Sequence, residues 1–136
     1  MIIEMLIIFY SYIYLMRKKK HIFATKMKQM NNNELSLLNG LKKKAKAVIP
    51  EGGEVWLYGS RARGDAHAGS DWDVLVLLNK DKIEYDDFEK FGYPLETVGW
   101  SYNAGITPVL YTTSEWKARS FTPFFKNVEH DKIKIL

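Results

Sequence analysis

The sequence predicts a small α/β (α+β) domain, a mixed β-sheet flanked by helices. Three observations predict it. Apolar, β-favouring runs recur at "EVWLYG" (54–59), "DWDVLVLLN" (71–79) and "ITPVLYT" (106–112). Segments with helical spacing or helix-start signals precede, separate and follow them. The 136 residues are 46% hydrophobic and 26% charged, which supplies one core for one domain. The order α-β-α-β-α-β-α is that of a layered sheet-and-helix domain.

The chain opens with "MIIEMLIIFYSYIYLM", a mostly apolar run of 16 residues ending in "RKKK". It falls short of the ~20 residues that a spanning helix needs, and Glu4 lies inside it. Its basic residues follow the apolar run, and no small-residue cleavage site appears, so it is not a cleavable signal. Three readings stay open for residues 1–26: a dispensable extension ahead of a start at Met27 or Met30, which is favoured, a signal anchor, or an extra packed helix. The nucleus of the protein is then a domain over 27–136, expected to be cytoplasmic and without a membrane partner.

"NNNELSLLNGLKKKAKAVIP" predicts a helix capped by Asn33, with Leu35, Leu38, Leu41, Ala45 and Val48 as its buried stripe. Lys42, Lys43, Lys44 and Lys46 read as a solvated face. Pro50 and "EGG" end it. "EVWLYG" is the first strand, closed by Gly59. "SRARGD" is a turn opening into a short helix, and "DWDVLVLLN" is the second strand. "IEYDDFEKFGYPLETVGWSYN" is helical with a break near Gly92 and Pro94, and "ITPVLYT" is the third strand. "TSEWKARS" is a helix capped by Thr113 or Ser114. "FTPFFKNVEHDKIKIL" is a last helix with a short edge strand, its "FTPFF" closing the core. Trp56, Trp100 and Trp116 are expected to pack.

Composition narrows the function. There is no cysteine, which excludes disulfides and thiolate metal sites. His21, His67 and His130 stand at no metal-ligand spacing. The net charge is +4, but residues 1–26 hold five basic residues against Glu4 alone, so the remainder is neutral. Nucleic acid is therefore not an expected partner, except as an acceptor.

The chemistry concentrates in "LYGSRARGDAHAGSDWDVLV" (57–76). Residues two apart on a strand share a face, so Asp71 and Asp73 point the same way with Trp72 opposed. Two carboxylates on one face repel unless a cation lies between them, and Mg2+ suits carboxylate and phosphate oxygens. Upstream, Gly59 allows close backbone approach. Ser60 offers a hydroxyl and an amide, and Arg61 and Arg63 carry forked donors suited to phosphate. One side of such a site grips phosphate and the other holds metal, as transfer at a nucleotide phosphate requires.

"GSRARG" followed by "SDWDVLV" resembles the signature of minimal nucleotidyltransferases (MNT) of the DNA polymerase β-like superfamily. The likeness is strongest over 55–78 and extends loosely over 33–136. It implies the polymerase β-like fold and transfer of a nucleoside monophosphate from an NTP, ATP favoured, to a hydroxyl. It implies Gly59 and Ser60 on the triphosphate, and Asp71 and Asp73 as Mg2+ ligands in a site that can take two ions. Arg63 would support the phosphate loop and Gly64 the turn. Such proteins are often antitoxin partners of HEPN-domain toxins, so a HEPN-type protein is the implied partner. The superfamily usually carries a third carboxylate on a following strand. Here "ITPVLYT" has none, and Thr107 or Val109 stands near its place; Glu96 is the one substitute in reach of the pattern. The alternative to an enzyme is therefore a binding module that neutralises a toxin by contact.

Overall fold

The computed structural model describes residues 1–136, the side chain of Lys26 excepted. A long helix α1 (Ile2–Gln29) leads into α2 (Asn32–Val48). Strand β1 (Glu54–Tyr58) runs into a single helical turn, α3 (Ser60–Arg63), and a loop returns the chain as β2 (Trp72–Leu78). A π-helical turn (Phe88–Gly92) feeds α4 (Tyr93–Trp100), then come β3 (Ile106–Thr112), α5 (Thr113–Ala118), α6 (Pro123–Asp131) and β4 (Ile133–Lys134). The sheet is mixed, as the sequence predicts, in the order β3-β2-β1-β4. β1 is antiparallel to both β2 and β4, and β2 is parallel to β3.

Strand alternation divides the side chains between two layers. One face carries Val55, Leu57, Trp72, Val74, Val76, Leu78 and Ile106 and is covered by Leu37, Leu38, Leu41 and Ala45 of α2 and Leu95 of α4. The other carries Leu75 and Leu77 and is covered by Trp116 of α5 and Val128 of α6. β2, buried on both faces, is accordingly a continuous apolar run after Asp73.

Local chemistry moves some expected boundaries. The cap of α2 is Asn31, not Asn33, because a glutamate stands three residues after Asn31: Glu34 donates its amide to Asn31 Oδ1 at 2.9 Å, and Asn31 donates back to Glu34 Oε2 at 3.1 Å. For the same reason α5 is capped by Thr112 with Glu115, not by Thr113 or Ser114. The break expected at Gly92 and Pro94 is the π turn itself. Pro94 sits in the first turn of α4, and Gly92 lets the Phe88 ring close in. Residues 83–86 are not helical: the buried Asp87 accepts both Lys80 Nζ at 2.9 Å and the Glu84 amide at 2.7 Å, fixing a turn instead. "FTPFF" is only partly core. Phe125 packs under Trp116, whereas Phe121 is 78% exposed. Trp100 is likewise 61% exposed, against the expectation that it packs. α1 is continuous through residues 26 and 27, and its Phe23 is buried in the larger core.

Candidate active site

Asp71 and Asp73 lie at the start of β2, at the end of the sheet where β1 turns at Gly59. Asp73 is flanked by Tyr58 on β1 and Thr107 on β3, its partners in the two registers. It occupies the face covered farther along by α5 and α6. Asp71 is exposed and Asp73 half-buried.

Both carboxylates rest against glycine. Gly59 has φ +72° and ψ −156°, a conformation open to glycine, and a Cβ there would strike the Asp73 carboxylate. A Cβ on Gly105, just before β3, would lie 2.5 Å from Asp71 Oδ1. Asp71's end of β2 is tied to that glycine by the Trp72 amide, which donates to the Gly105 carbonyl at 2.8 Å. Burial, and then the charge of Asp71, pushes the Asp73 carboxyl above its usual range, with Arg63 opposing. Burial, then the Asp73 charge and Tyr111, pushes the Tyr58 phenol up to about 12. Among the described residues neither carboxylate has a hydrogen-bond or ion-pair partner, although the nearby Asp65 and Asp131 both take Arg63. A close, unpaired, glycine-lined carboxylate pair suits a hard divalent cation.

The two arginines are placed differently. Arg61 is 7% exposed and points into the loop that precedes Asp71. It donates to the Ser70 carbonyl at 2.9 and 3.2 Å, pairs with Glu34 at 3.0 Å, and lies 4.9 Å over the Trp72 ring. Glu34 thus caps α2 and anchors the loop at once. Arg63 is half-exposed and bridges Asp65 at 3.1 Å and Asp131 of α6 at 2.7 Å. Gly59 accepts the Ala62 and Arg63 amides, and the Ser60 carbonyl accepts those of Gly64 and Asp65, which coils "GSRARG" into a closed turn. Gly64 ends it at φ 87°. His67 is exposed and accepts the Gly69 amide.

The sheet registers Thr107 directly beside Asp73, and β3 carries no carboxylate. Glu96 belongs to α4, whose Leu95 packs in the core on the opposite face of the sheet, away from Asp73. A second acidic group, Glu84, Asp86 and Asp87, has ligand atoms within 4.8 Å of one another. It follows the far end of β2, roughly 20 Å along the strand from Asp71, and Lys80 and Lys90 already pair with it.

A family model described as nucleotidyltransferase domain matches residues 36–122, which include both aspartates and the whole glycine-serine turn. The chain belongs to the nucleotidyltransferase domain family. The fold of this nucleotidyltransferase domain agrees with that membership. A solved structure described as a toxin-antitoxin with AMP-PNP is similar at a TM-score of 0.51 and 20% identity, over 73% of this chain and 72% of that one. At that identity the likeness concerns the fold. No curated protein matches.

Sequence reasoning missed Glu34, Gly105 and Asp131. Glu34 had a signal, its place three residues after Asn31. Gly105 had a weaker one, as the glycine preceding the third strand. Asp131 had none, because only the packing of α6 brings it to Arg63.

Proposed function

We propose that this nucleotidyltransferase domain is of the minimal type and moves a nucleoside monophosphate from an NTP, ATP favoured, to a hydroxyl acceptor. The acceptor hydroxyl loses its proton to solvent, its oxygen bonds to the α-phosphorus, the α–β phosphoanhydride bond breaks, and pyrophosphate leaves. The observation that carries this reading is the unpaired Asp71–Asp73 couple set against Gly59 and Gly105 beside the glycine-serine turn. Asp71 and Asp73 would hold Mg2+, which when bound would acidify the attacking hydroxyl and offset phosphate charge. Gly59 and Ser60 receive the triphosphate on backbone and hydroxyl. Arg63, paired with Asp65 and Asp131, supports the turn against α6. Arg61, fully engaged with Ser70 and Glu34, is a positioning residue that fixes the approach to Asp71.

A second reading is favoured by Thr107, which stands beside Asp73 without a carboxylate. General-base assistance typically contributes ~10²–10⁴-fold, so a domain without it can bind nucleotide and turn over slowly. In that case the protein acts as an antitoxin that neutralises a toxin, of HEPN type, by contact. The toxin-antitoxin assembly among its structural relatives supports this.

Thermal unfolding with Mg2+ and ATP or GTP, run beside Asp71→Asn/Asp73→Asn, tests the site. Stabilisation of about 2.7 kcal/mol is expected at a hundredfold excess over Kd, only with metal and only in the unsubstituted protein. No shift with any NTP would sink the enzymatic reading. A shift without pyrophosphate release on adding acceptors would favour the second.

A further inference from the structure

α1 changes character along its length. From Met16 onward one stripe (Met16, Lys19, Phe23, Met27) turns toward the domain, with Phe23 buried. Residues 1–12 are exposed at every position. Ile2 and Ile3 are each 73% exposed and Ile8 is 69% exposed. Apart from Glu4, the residues from Ile2 to Phe9 are all apolar. At 3.6 residues per turn they therefore surround the helix axis. A helix that is apolar all round requires apolar surroundings on every side. A protein groove or a second copy covers one stripe and leaves the rest in water.

The order of residue types along the axis points to lipid. Apart from Glu4, isoleucine, methionine, leucine and phenylalanine fill residues 2–9, tyrosines stand at 10, 12 and 14, and Arg17, Lys18, Lys19 and Lys20 follow. Hydrocarbon, interface and headgroup layers select these classes in that order. The basic collar continues into the domain. A cleft of ≈ 470 Å³ between α1 and β4 has an apolar floor around Phe23 and Trp56 and carries five lysines; Glu129 holds Lys19 and Lys132, which leaves Lys20, Lys42 and Lys134 as its free cations among the described residues. Lys132 Nζ lies 4.2 Å from the centre of the Trp56 ring. Such a surface is complementary to anionic headgroups. The apolar run to Met16 is about 22 Å long against a hydrocarbon core of ~30 Å. No helix among the described residues is long and apolar enough to cross a membrane. Glu4, the one charged residue of the run, lies in its first turn.

We propose that residues 1–20 dock this chain on an anionic lipid surface. Ile2–Phe9 enter the acyl region, the three tyrosines lie at the interface, and Arg17, Lys18 and Lys20 meet the headgroups. The inference is independent of nucleotidyl transfer.

Co-sedimentation of the full chain with vesicles tests it, using phosphatidylcholine alone or mixed with phosphatidylglycerol. Binding is expected with the mixed vesicles, weaker by about fivefold for each of Arg17, Lys18 and Lys20 changed to Gln, and weaker in high salt. Ile7→Asp/Ile8→Asp changes two exposed positions far from the core. It should reduce binding at least ~tenfold while leaving the melting temperature unchanged. A chain that stays in the supernatant with phosphatidylglycerol overturns the proposal. So does binding that survives Ile7→Asp/Ile8→Asp. A dimer that forms equally with and without vesicles, and is broken by that double variant, assigns the helix to a second copy and overturns it too.

Discussion

Asp73 is ionised at an energetic disadvantage in the folded chain, since burial and Asp71 both oppose its charge. Without metal, Asp73→Asn should therefore raise the melting temperature slightly, by less than ~1 kcal/mol in stability because solvent screens the pair. The same variant should lose the Mg2+-dependent stabilisation by nucleotide. Calorimetry with and without Mg2+ separates the two effects, and a metal-free loss of stability would contradict the geometry. Arg61 behaves oppositely. Its guanidinium is almost fully buried and holds Glu34 and the Ser70 carbonyl. Arg61→Met should cost about 2–3 kcal/mol in urea unfolding, from an unpaired Glu34 and a freed loop. Arg61→Lys should recover little, because an ammonium cannot reproduce the fork. At this scale the motif was legible in the sequence, whereas the roles within it were not. "SRAR" offers two equivalent arginines, and only packing sends one inward over Trp72 and leaves the other at the surface.

Elements were read more securely than their ends. All three long strands and the helix after Asn31 follow from period and punctuation, because those patterns record which face is buried. The caps shifted by one or two residues, to Asn31 and Thr112, each with a glutamate three positions on. α1 carries its own prediction. Phe23 belongs to the larger core, so Phe23→Ala should destabilise the chain by ~3 kcal/mol in chemical denaturation. An unchanged midpoint would mean that the second half of α1 is dispensable, as the favoured sequence reading holds. β3 carries another. Thr107 stands beside Asp73 on the same sheet face. Thr107→Asp should lower metal-free stability and, by supplying a third carboxylate, raise pyrophosphate release ~tenfold or more. A lower rate with Mg2+ bound would show that the position is not the missing base.

For the whole molecule, the Asp71–Asp73 couple makes stability depend on pH. A carboxyl whose pKa is raised on folding binds its proton more tightly folded than unfolded. Its unfavourable contribution is absent below the ordinary carboxylate pKa of about 3.9 and complete above the raised value. Metal-free stability should thus fall, relative to Asp73→Asn, as pH rises through that interval, and Mg2+ should offset more of the loss at the upper end. Parallel curves for the two proteins would count against the coupling. The sequence by itself determined the sheet-and-helix class, the strands, and the glycine-serine turn followed by paired aspartates, since these depend on local periodicity and on residue types with few alternative uses. Tertiary structure alone decided that Gly105 shelters Asp71, that Glu34 and Arg61 brace the loop, that Asp131 meets Arg63, and that Glu96 lies across the sheet from Asp73. Each relates residues that local pattern does not connect, and strand order and helix packing set the distances between them.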